Sequence, residues 1–358
     1  MATAASGDER LLLLPPQLQE LTIRGFQERS LYCSNSVDGG ETAAIELQGL
    51  PSLQTLSIFH CPKLLCSSLQ TSLQRLQLWF VEGMATLPPP PLLNLTNLEI
   101  SRCGNLRGGQ VLHALLVQGH LTNLQVIKTP NFFLGSERWV DEQDDVRHCS
   151  KLQVLRTDDF AGVLATTICR LIASSLTVLA LQHNDDVECF TKEQDEALQI
   201  LTSIQDLEIF CCNKLLFLPA GLNQLPNLEV LRICGCRAIS SLGSLPDSLQ
   251  TLRISVCPAI HSLPKDGLPG SLREINVRDC ENEELYRQCH KIKGTIPVGQ
   301  FCRLLSSSLT TLVLAWNDEV ECFTRGCPSD SHLHSGAKNL VLQHSLLGSI
   351  NSWIHCED

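Results

Sequence analysis

The residues of this chain best suited to chemistry are its thiols and imidazoles: 18 of 358 residues are cysteine and 11 are histidine. Some fall in close pairs, Cys211 beside Cys212, Cys234 near Cys236, and Cys289 beside His290. Thiolate and imidazole at such spacing could ligate zinc, but a structural zinc site needs a second matching half, and none of these pairs has one. The chain contains no C-x-x-C, H-E-x-x-H, G-x-S-x-G or Gly-x-Gly, and no Gly-Lys dipeptide. Metalloprotease, serine-hydrolase, dinucleotide-binding and P-loop chemistry therefore have no sequence support. The acidic stretch VDEQDD, Val140 to Asp145, lacks the glycine and terminal glutamate of a calcium loop and reads as a solvated connection. The expectation is a protein that is not an enzyme and holds no metal or cofactor.

The cysteines make better sense as parts of a repeat. In LQTLRISVCPAI the apolar residues are Leu249, Leu252, Ile254, Cys257 and Ile260, at gaps of three, two, three and three. Neither a helix nor a half-buried strand keeps that spacing throughout. A short strand between turns does: alternation sends Leu252 and Ile254 inward and Thr251, Arg253 and Ser255 outward, while Cys257 sits where the chain bends away. Copies of this pattern, most of them L-x-x-L-x-[IL], begin at Leu18, Leu53, Leu73, Leu95, Leu121, Leu152, Leu176, Ile204, Leu228, Leu249, Leu272 and Leu309, mostly 20 to 31 residues apart. Cys61, Cys103, Cys212, Cys236, Cys257 and Cys280 occupy the same turn position, the place of cysteine or asparagine in the leucine-rich repeat. A coil of this kind cannot bury its leucines alone, so coils stack. The expected fold is α/β, a leucine-rich-repeat solenoid curved as a horseshoe. A parallel β-sheet lines its concave face, and short helices or extended loops its convex side.

Several convex returns read as helices. GGQVLHALLVQGH groups Val111, Leu112, Leu115 and Leu116 and stops at Gly119, while TKEQDEALQIL opens with Thr191 and Gln194 at capping-box spacing. LPPPPLL from Leu87 and LPKDGLPGSL from Leu263 cannot be helix interiors and read as extended connections.

Composition bounds the function. With 43% apolar and 18% charged residues the chain is globular, and with only 5% aromatics leucine carries the packing. A net charge of -11 argues against a nucleic-acid binder, which needs basic charge to displace counterions. The start has no basic n-region and its apolar run ends at two prolines, and no apolar run approaches the ~18 residues of a membrane span. Cysteine at about 5% is below the density of a disulfide scaffold, so free thiols and a cytoplasmic location are expected.

Three segments carry a more specific likeness: LPAGLNQLPNLEVLRICGC, SLPKDGLPGSLREINVRDC and EELYRQCHKIKGTIP. Over residues 18 to 297 the chain resembles the repeat domain of plant nucleotide-binding leucine-rich-repeat (NLR) disease resistance proteins, especially those of grasses. That resemblance implies protein–protein recognition in innate immunity. It also implies a partner that is a pathogen effector, a guarded host protein or the receptor's own nucleotide-binding domain, with no nucleic acid and no membrane span. The chain departs from the family in lacking the P-loop switch, and in running on past Pro297. There CRLLSSSLTTLVLAWNDEVECFT, from Cys302, repeats CRLIASSLTVLALQHNDDVECFT, from Cys169, at a constant offset of 133. The expected organisation is an N-terminal segment 1–17, a solenoid 18–297 and a duplicated partial repeat 298–358, with 325–358 weakly packed.

Two rival readings remain: an extracellular leucine-rich-repeat receptor fragment, raised by the sequon Asn94-Leu95-Thr96 and by GTIP at Gly294, and a substrate adaptor for ubiquitin ligation.

In either case a partner would meet the outward residues, which form ladders because parallel strands lie about 4.8 Å apart. One ladder reads Glu208, Arg232, Arg253 and Asn276, with Arg278 a step along its strand. Another brings Phe59 beside Trp79 and carries Phe210 farther on. Arginine and large aromatics are enriched in binding hot spots, so Phe59, Trp79, Phe210, Arg232, Arg253 and Arg278 are the candidate partner-binding residues. Unpaired Arg232 and Arg253 would suit an acidic partner surface. The alternative is a solvated face on which Glu208 pairs with Arg232 and the aromatics cover each other.

Overall fold

The computed structural model describes residues 15–25, 43–46, 50–61, 64–68, 72–87, 94–117, 119–136, 150–264, 267–280, 282–291, 311–315 and 339–341. It divides into two compact units, Met1–Thr177 and Val178–Asp358.

In the first unit each copy of the pattern becomes a strand: β1 (Glu20–Arg24), β3 (Thr55–Phe59), β5 (Arg75–Trp79), β6 (Asn97–Ser101), β7 (Asn123–Ile127) and β8 (Val154–Thr157). Neighbours in this order pair in parallel, with Leu21, Leu56, Leu76, Leu98, Leu124 and Leu155 in one register row. The next inward row is Ile23, Ile58, Leu78, Ile100, Val126 and Thr157, all buried. A slip of one residue would turn every leucine to solvent, so burial fixes the register. The sequence pattern did not point to β2 (Ala43–Glu46) and β4 (Leu64–Ser68), which pair with each other in a separate parallel ribbon. Helices α1 (Gly109–Val117), α2 (Phe160–Val163) and α3 (Thr166–Ile172) fill the later returns, and α1 lies against α3. Leu112, Leu115 and Leu116 are the buried face of α1. Past its end, a Cβ on Gly119 would lie 2.6 Å from the Leu115 carbonyl oxygen, so close approach demands glycine there.

The second unit repeats the scheme with β9 (Val178–Gln182), β10 (Asp206–Phe210), β11 (Val230–Cys234), β12 (Thr251–Ser255), β13 (Glu274–Arg278), β14 (Thr311–Ala315) and β15 (Asn339–Val341), again parallel and in sequence order. β14 and β15 stand 133 residues beyond β9 and β10, as the duplicated sequence requires. The returns hold α4 (Lys192–Ile200), a single 3-10 turn at Ala220–Gln224 and α5 (Glu283–Lys291). The Thr191 hydroxyl accepts the Gln194 N–H while the Gln194 side chain accepts the Thr191 N–H, closing the capping box foreseen for α4. The acidic stretch 140–145, the proline run 88–91 and the side chains of 325–358 lie outside the described residues.

Polar bonds repeat from coil to coil as regularly as the leucines. Before the strands, one carbonyl accepts two N–H groups of the next coil: Gln19 takes those of Gln54 and Thr55, Gln54 those of Gln74 and Arg75, and Gln205 those of Glu229 and Val230. After the strands, the chain turns left-handed at His60 (φ 53°), Phe80 (57°), Arg102 (53°), Lys128 (49°), His183 (55°), Cys211 (51°), Val256 (52°) and Asp279 (51°). That conformation costs about 1–2 kcal/mol per L-residue. It aims the N–H at the last carbonyl of the next strand: His60 to Trp79, Phe80 to Ser101, Arg102 to Ile127 and Val256 to Arg278, at 2.9–3.0 Å. Lys128 departs from this, giving its N–H to a side-chain oxygen of Asp158 at 2.7 Å.

Candidate functional site

The buried turn cysteines are structural. Cys103, Cys212, Cys236, Cys257 and Cys280 each direct their thiol to the carbonyl two residues back and to a strand carbonyl of the preceding coil. Cys61 makes the first of these bonds, to Phe59. Burial pushes the Cys280 thiol up to about 11 and the Cys169 and Cys289 thiols to about 12, which keeps them protonated and inert. The Cys212 thiol is raised by its hydrogen bond with Cys236 and by burial. Among the described residues no group of three or more His, Cys, Asp or Glu side chains is gathered to hold a metal ion.

The outward side chains are left to do the work, and the two units arrange them differently. In the second unit the ladder Glu208, Arg232, Arg253, Asn276 forms as the repeat register requires, and Arg278 pairs in register with Ser255. The arginines are nevertheless not unpaired, contrary to expectation. Arg232 is bonded to both Asp206 and Glu208, the latter at 3.0 Å, and its side chain is only 27% exposed. Arg253 reaches Glu274 at 3.3 Å. Carboxylates one strand away thus neutralise both, because each strand's first and third residues face the same side within reach of a long side chain. Arg278 donates to the Asn276 side-chain oxygen at 3.0 Å. Phe210 lies half-buried in register between Gln182 and Cys234. The Glu208–Arg232 pairing named in the alternative reading is thus present here.

In the first unit the structure brings Phe59 and Trp79 together, in register on β3 and β5. Their rings meet edge to face, centroids 5.4 Å apart at 72°. The guanidinium of Arg24, one strand over on β1, lies 4.8 Å above the Phe59 ring. Beside this row runs a second, built by the left-handed residues: His60 stacks on Phe80 at 4.2 Å, and Arg102 lies 5.0 Å over the same Phe80 ring. Below them Ser57 donates to the Gln77 side-chain oxygen at 2.6 Å, and Gln77 to Glu99 at 2.8 Å, tying the middle row. Among the described residues neither Arg24 nor Arg102 has a carboxylate partner. Sequence reasoning named Phe59 and Trp79 but missed Arg24, His60, Phe80 and Arg102. The signal was available, since each is the last strand residue or the one after it, at a fixed distance from the second leucine of its copy.

Comparison with known proteins bears on what such a surface serves. Disease resistance protein RPS4B of Arabidopsis thaliana is 24% identical over 323 residues, covering 83% of this chain and 26% of that protein. The chain is a leucine-rich-repeat domain similar to plant disease resistance proteins. The Arabidopsis protein SUPPRESSOR OF npr1-1, CONSTITUTIVE 1 is also similar to this leucine-rich-repeat domain, 25% identical over 221 residues, covering 56% of the chain and 15% of the relative. The domain therefore spans about a quarter of the first relative and less of the second. An internalin (InlF) of Listeria monocytogenes is a solved structure with which it shares 12% identity, covering 77% of this chain and 81% of that one at a TM-score of 0.33. No family model matches the domain. Among its described residues no helix is long and apolar enough to cross a membrane.

Proposed function

We propose that this domain is a non-catalytic protein-recognition module of plant innate immunity, acting in the cytoplasm. Its solenoid, 18–297, would offer outward strand residues to a protein partner, with 298–358 as a duplicated partial repeat. The partner is a pathogen effector, a guarded host protein, or a nucleotide-binding switch domain whose resting state the repeats hold. The names of the relatives support the setting. The observation that carries the site is the aromatic pair Phe59–Trp79, held edge to face on an outward strand surface where buried leucines already fix the backbone. Large aromatics half-open to solvent on a rigid sheet are the usual anchors of protein interfaces.

The test is affinity purification of the tagged protein from plant tissue, parent against the Phe59→Ser/Trp79→Gln double variant, with mass spectrometry of what co-purifies and a thermal melt to show that the variant is folded. Proteins that accompany the parent and are lost from the folded variant are the expected result. Equal recovery of all co-purifying proteins would remove this face as the recognition surface.

A further inference from the structure

We infer that the Arg24–Phe59–Trp79 row and the His60–Phe80–Arg102 stack form one docking surface for an extended acidic protein segment that carries a flat apolar side chain. The inference rests on the recognition reading above and adds the chemistry of the partner.

The charge argument comes from a contrast within the chain. Arg232 and Arg253 are neutralised by carboxylates on neighbouring strands. Arg24 and Arg102 are exposed and lie instead on the faces of Phe59 and Phe80, with no carboxylate partner among the described residues. A guanidinium laid on a ring keeps its charge and its in-plane N–H groups available while its orientation is already restricted, which suits it to grip a carboxylate with two parallel hydrogen bonds. The described acids nearby form no ion pair with either guanidinium: Glu99 takes the Gln77 amide, Glu20 is at the opposite end of β1 from Arg24, and Glu82 lies against Gly104.

Geometry sets the shape of the ligand. From Arg24 on β1 to Arg102 just after β6 the surface crosses β3 and β5, three strand spacings or about 14 Å. An extended peptide rises about 3.3 Å per residue, so roughly four to five residues span the two guanidiniums. Between them lie the half-buried rings of Phe59, Trp79 and Phe80, a floor for one apolar or aromatic side chain. The net charge of -11 repels nucleic acid, anionic membranes and an acidic segment alike at long range, so selectivity for a short acidic segment rests on the two guanidiniums that it can meet at close contact.

The experiment uses fluorescein-labelled pentapeptides, Asp-Glu-Trp-Asp-Glu, its charge-inverted form Lys-Arg-Trp-Lys-Arg, and the neutral Ser-Gln-Trp-Ser-Gln, read by fluorescence polarisation at low salt with oligothymidine as the competing polyanion. The acidic peptide is expected to bind about tenfold or more tightly than the neutral one, and Arg24→Glu/Arg102→Glu to abolish that margin. Both sites are exposed and the backbone at 102 stays left-handed either way, so the melting temperature of the variant should match the parent. The inference is overturned if the acidic peptide binds no better than the inverted one, if charge reversal leaves its affinity unchanged, or if oligothymidine binds as tightly. The partner purification separates the two levels. Loss of co-purifying proteins on Phe59→Ser/Trp79→Gln but not on Arg24→Glu/Arg102→Glu sinks the acidic partner and keeps the recognition face; loss on neither sinks the face.

Discussion

The thiol of Cys257 bridges two coils, directed at the Ser255 carbonyl at 3.1 Å in its own coil and at the Ile233 carbonyl at 3.8 Å in the coil before. A cysteine at this turn is a polar connector as well as an apolar filler. Cys257→Ala removes the sulfur and leaves two buried carbonyls with one donor fewer, and is expected to cost about 1–2 kcal/mol in urea unfolding. An unchanged midpoint would reduce the thiol to a space-filling role.

Leu252 is fully buried, in register with Leu231 and Ile275. Leu252→Asp sets a carboxylate among stacked aliphatic chains, at about 3–5 kcal/mol after whatever protonation relieves. Hydrogen exchange should show protection lost in β11 to β13 and retained in β5 and β6, because each coil contacts its neighbours. Uniform loss of protection would contradict coil-by-coil stability.

How far the sequence could be read follows from what each row is for. Leu56, Leu76 and Leu98 have one shape to satisfy and so repeat, which made the strands and their register legible. The capping box at Thr191 and Gln194 was legible because a cap is a local affair. Pairing across strands was legible only in part, for Glu208 with Arg232 and for Phe59 with Trp79. Nothing in the spacing of Arg232 announces that Asp206 and Glu208 both reach it, since side chains two positions apart on one strand and one on its neighbour meet only once twist and rotamer are set. The stack of His60, Phe80 and Arg102 was overlooked for a different reason. A left-handed residue after the strand carries its side chain off the strict alternation that strand reading assumes.

The Arg232 contacts decide how its variants behave. Arg232→Glu would gather a third carboxylate beside Asp206 and Glu208 on a partly buried surface, and is expected to lower stability by about 2 kcal/mol. Arg278→Glu sets its new charge beside Asp279 alone, whose carboxylate Arg278 favours, and should cost less, about 1 kcal/mol or below. Equal melting of the two variants would show that the Arg232 contacts add nothing.

Val256 is a β-branched residue held at φ 52°, at a position where other coils place His60, His183, Gly235 or Asp279. Asparagine enters the left-handed region readily without the chain entropy of glycine, so Val256→Asn should gain roughly 0.5–1 kcal/mol. The midpoint of chemical denaturation measures it, and a loss would mean that the valine side chain packs better than its 38% exposure implies.

Asp158 makes the stability of the first unit depend on pH. Burial pushes its carboxyl above the ordinary range, against the pull of the Lys128 N–H that it accepts. A carboxyl raised by folding contributes no penalty below its unfolded pKa, and the fold loses stability as pH climbs through the higher folded value. Asp158→Asn keeps an acceptor for Lys128 and removes the charge. The variant should be more stable than the parent at about pH 7, with the gap closing towards about pH 4. A gap independent of pH would place the effect elsewhere.

The bonds that join coils reach one neighbour and stop: a turn thiol to the coil before, a left-handed N–H to the coil after. Such a chain can be edited in whole coils. Unequal crossing-over between two repeats brings together a donor and an acceptor that were each already poised for an equivalent partner, so the new junction closes with the bonds of the old. Strands β14 and β15, copied at an offset of 133 from β9 and β10 and paired in the same register, have the form such an event leaves. What changes is the assortment of side chains presented outward, so that new surfaces can be sampled by shuffling coils while the framework beneath them is inherited intact.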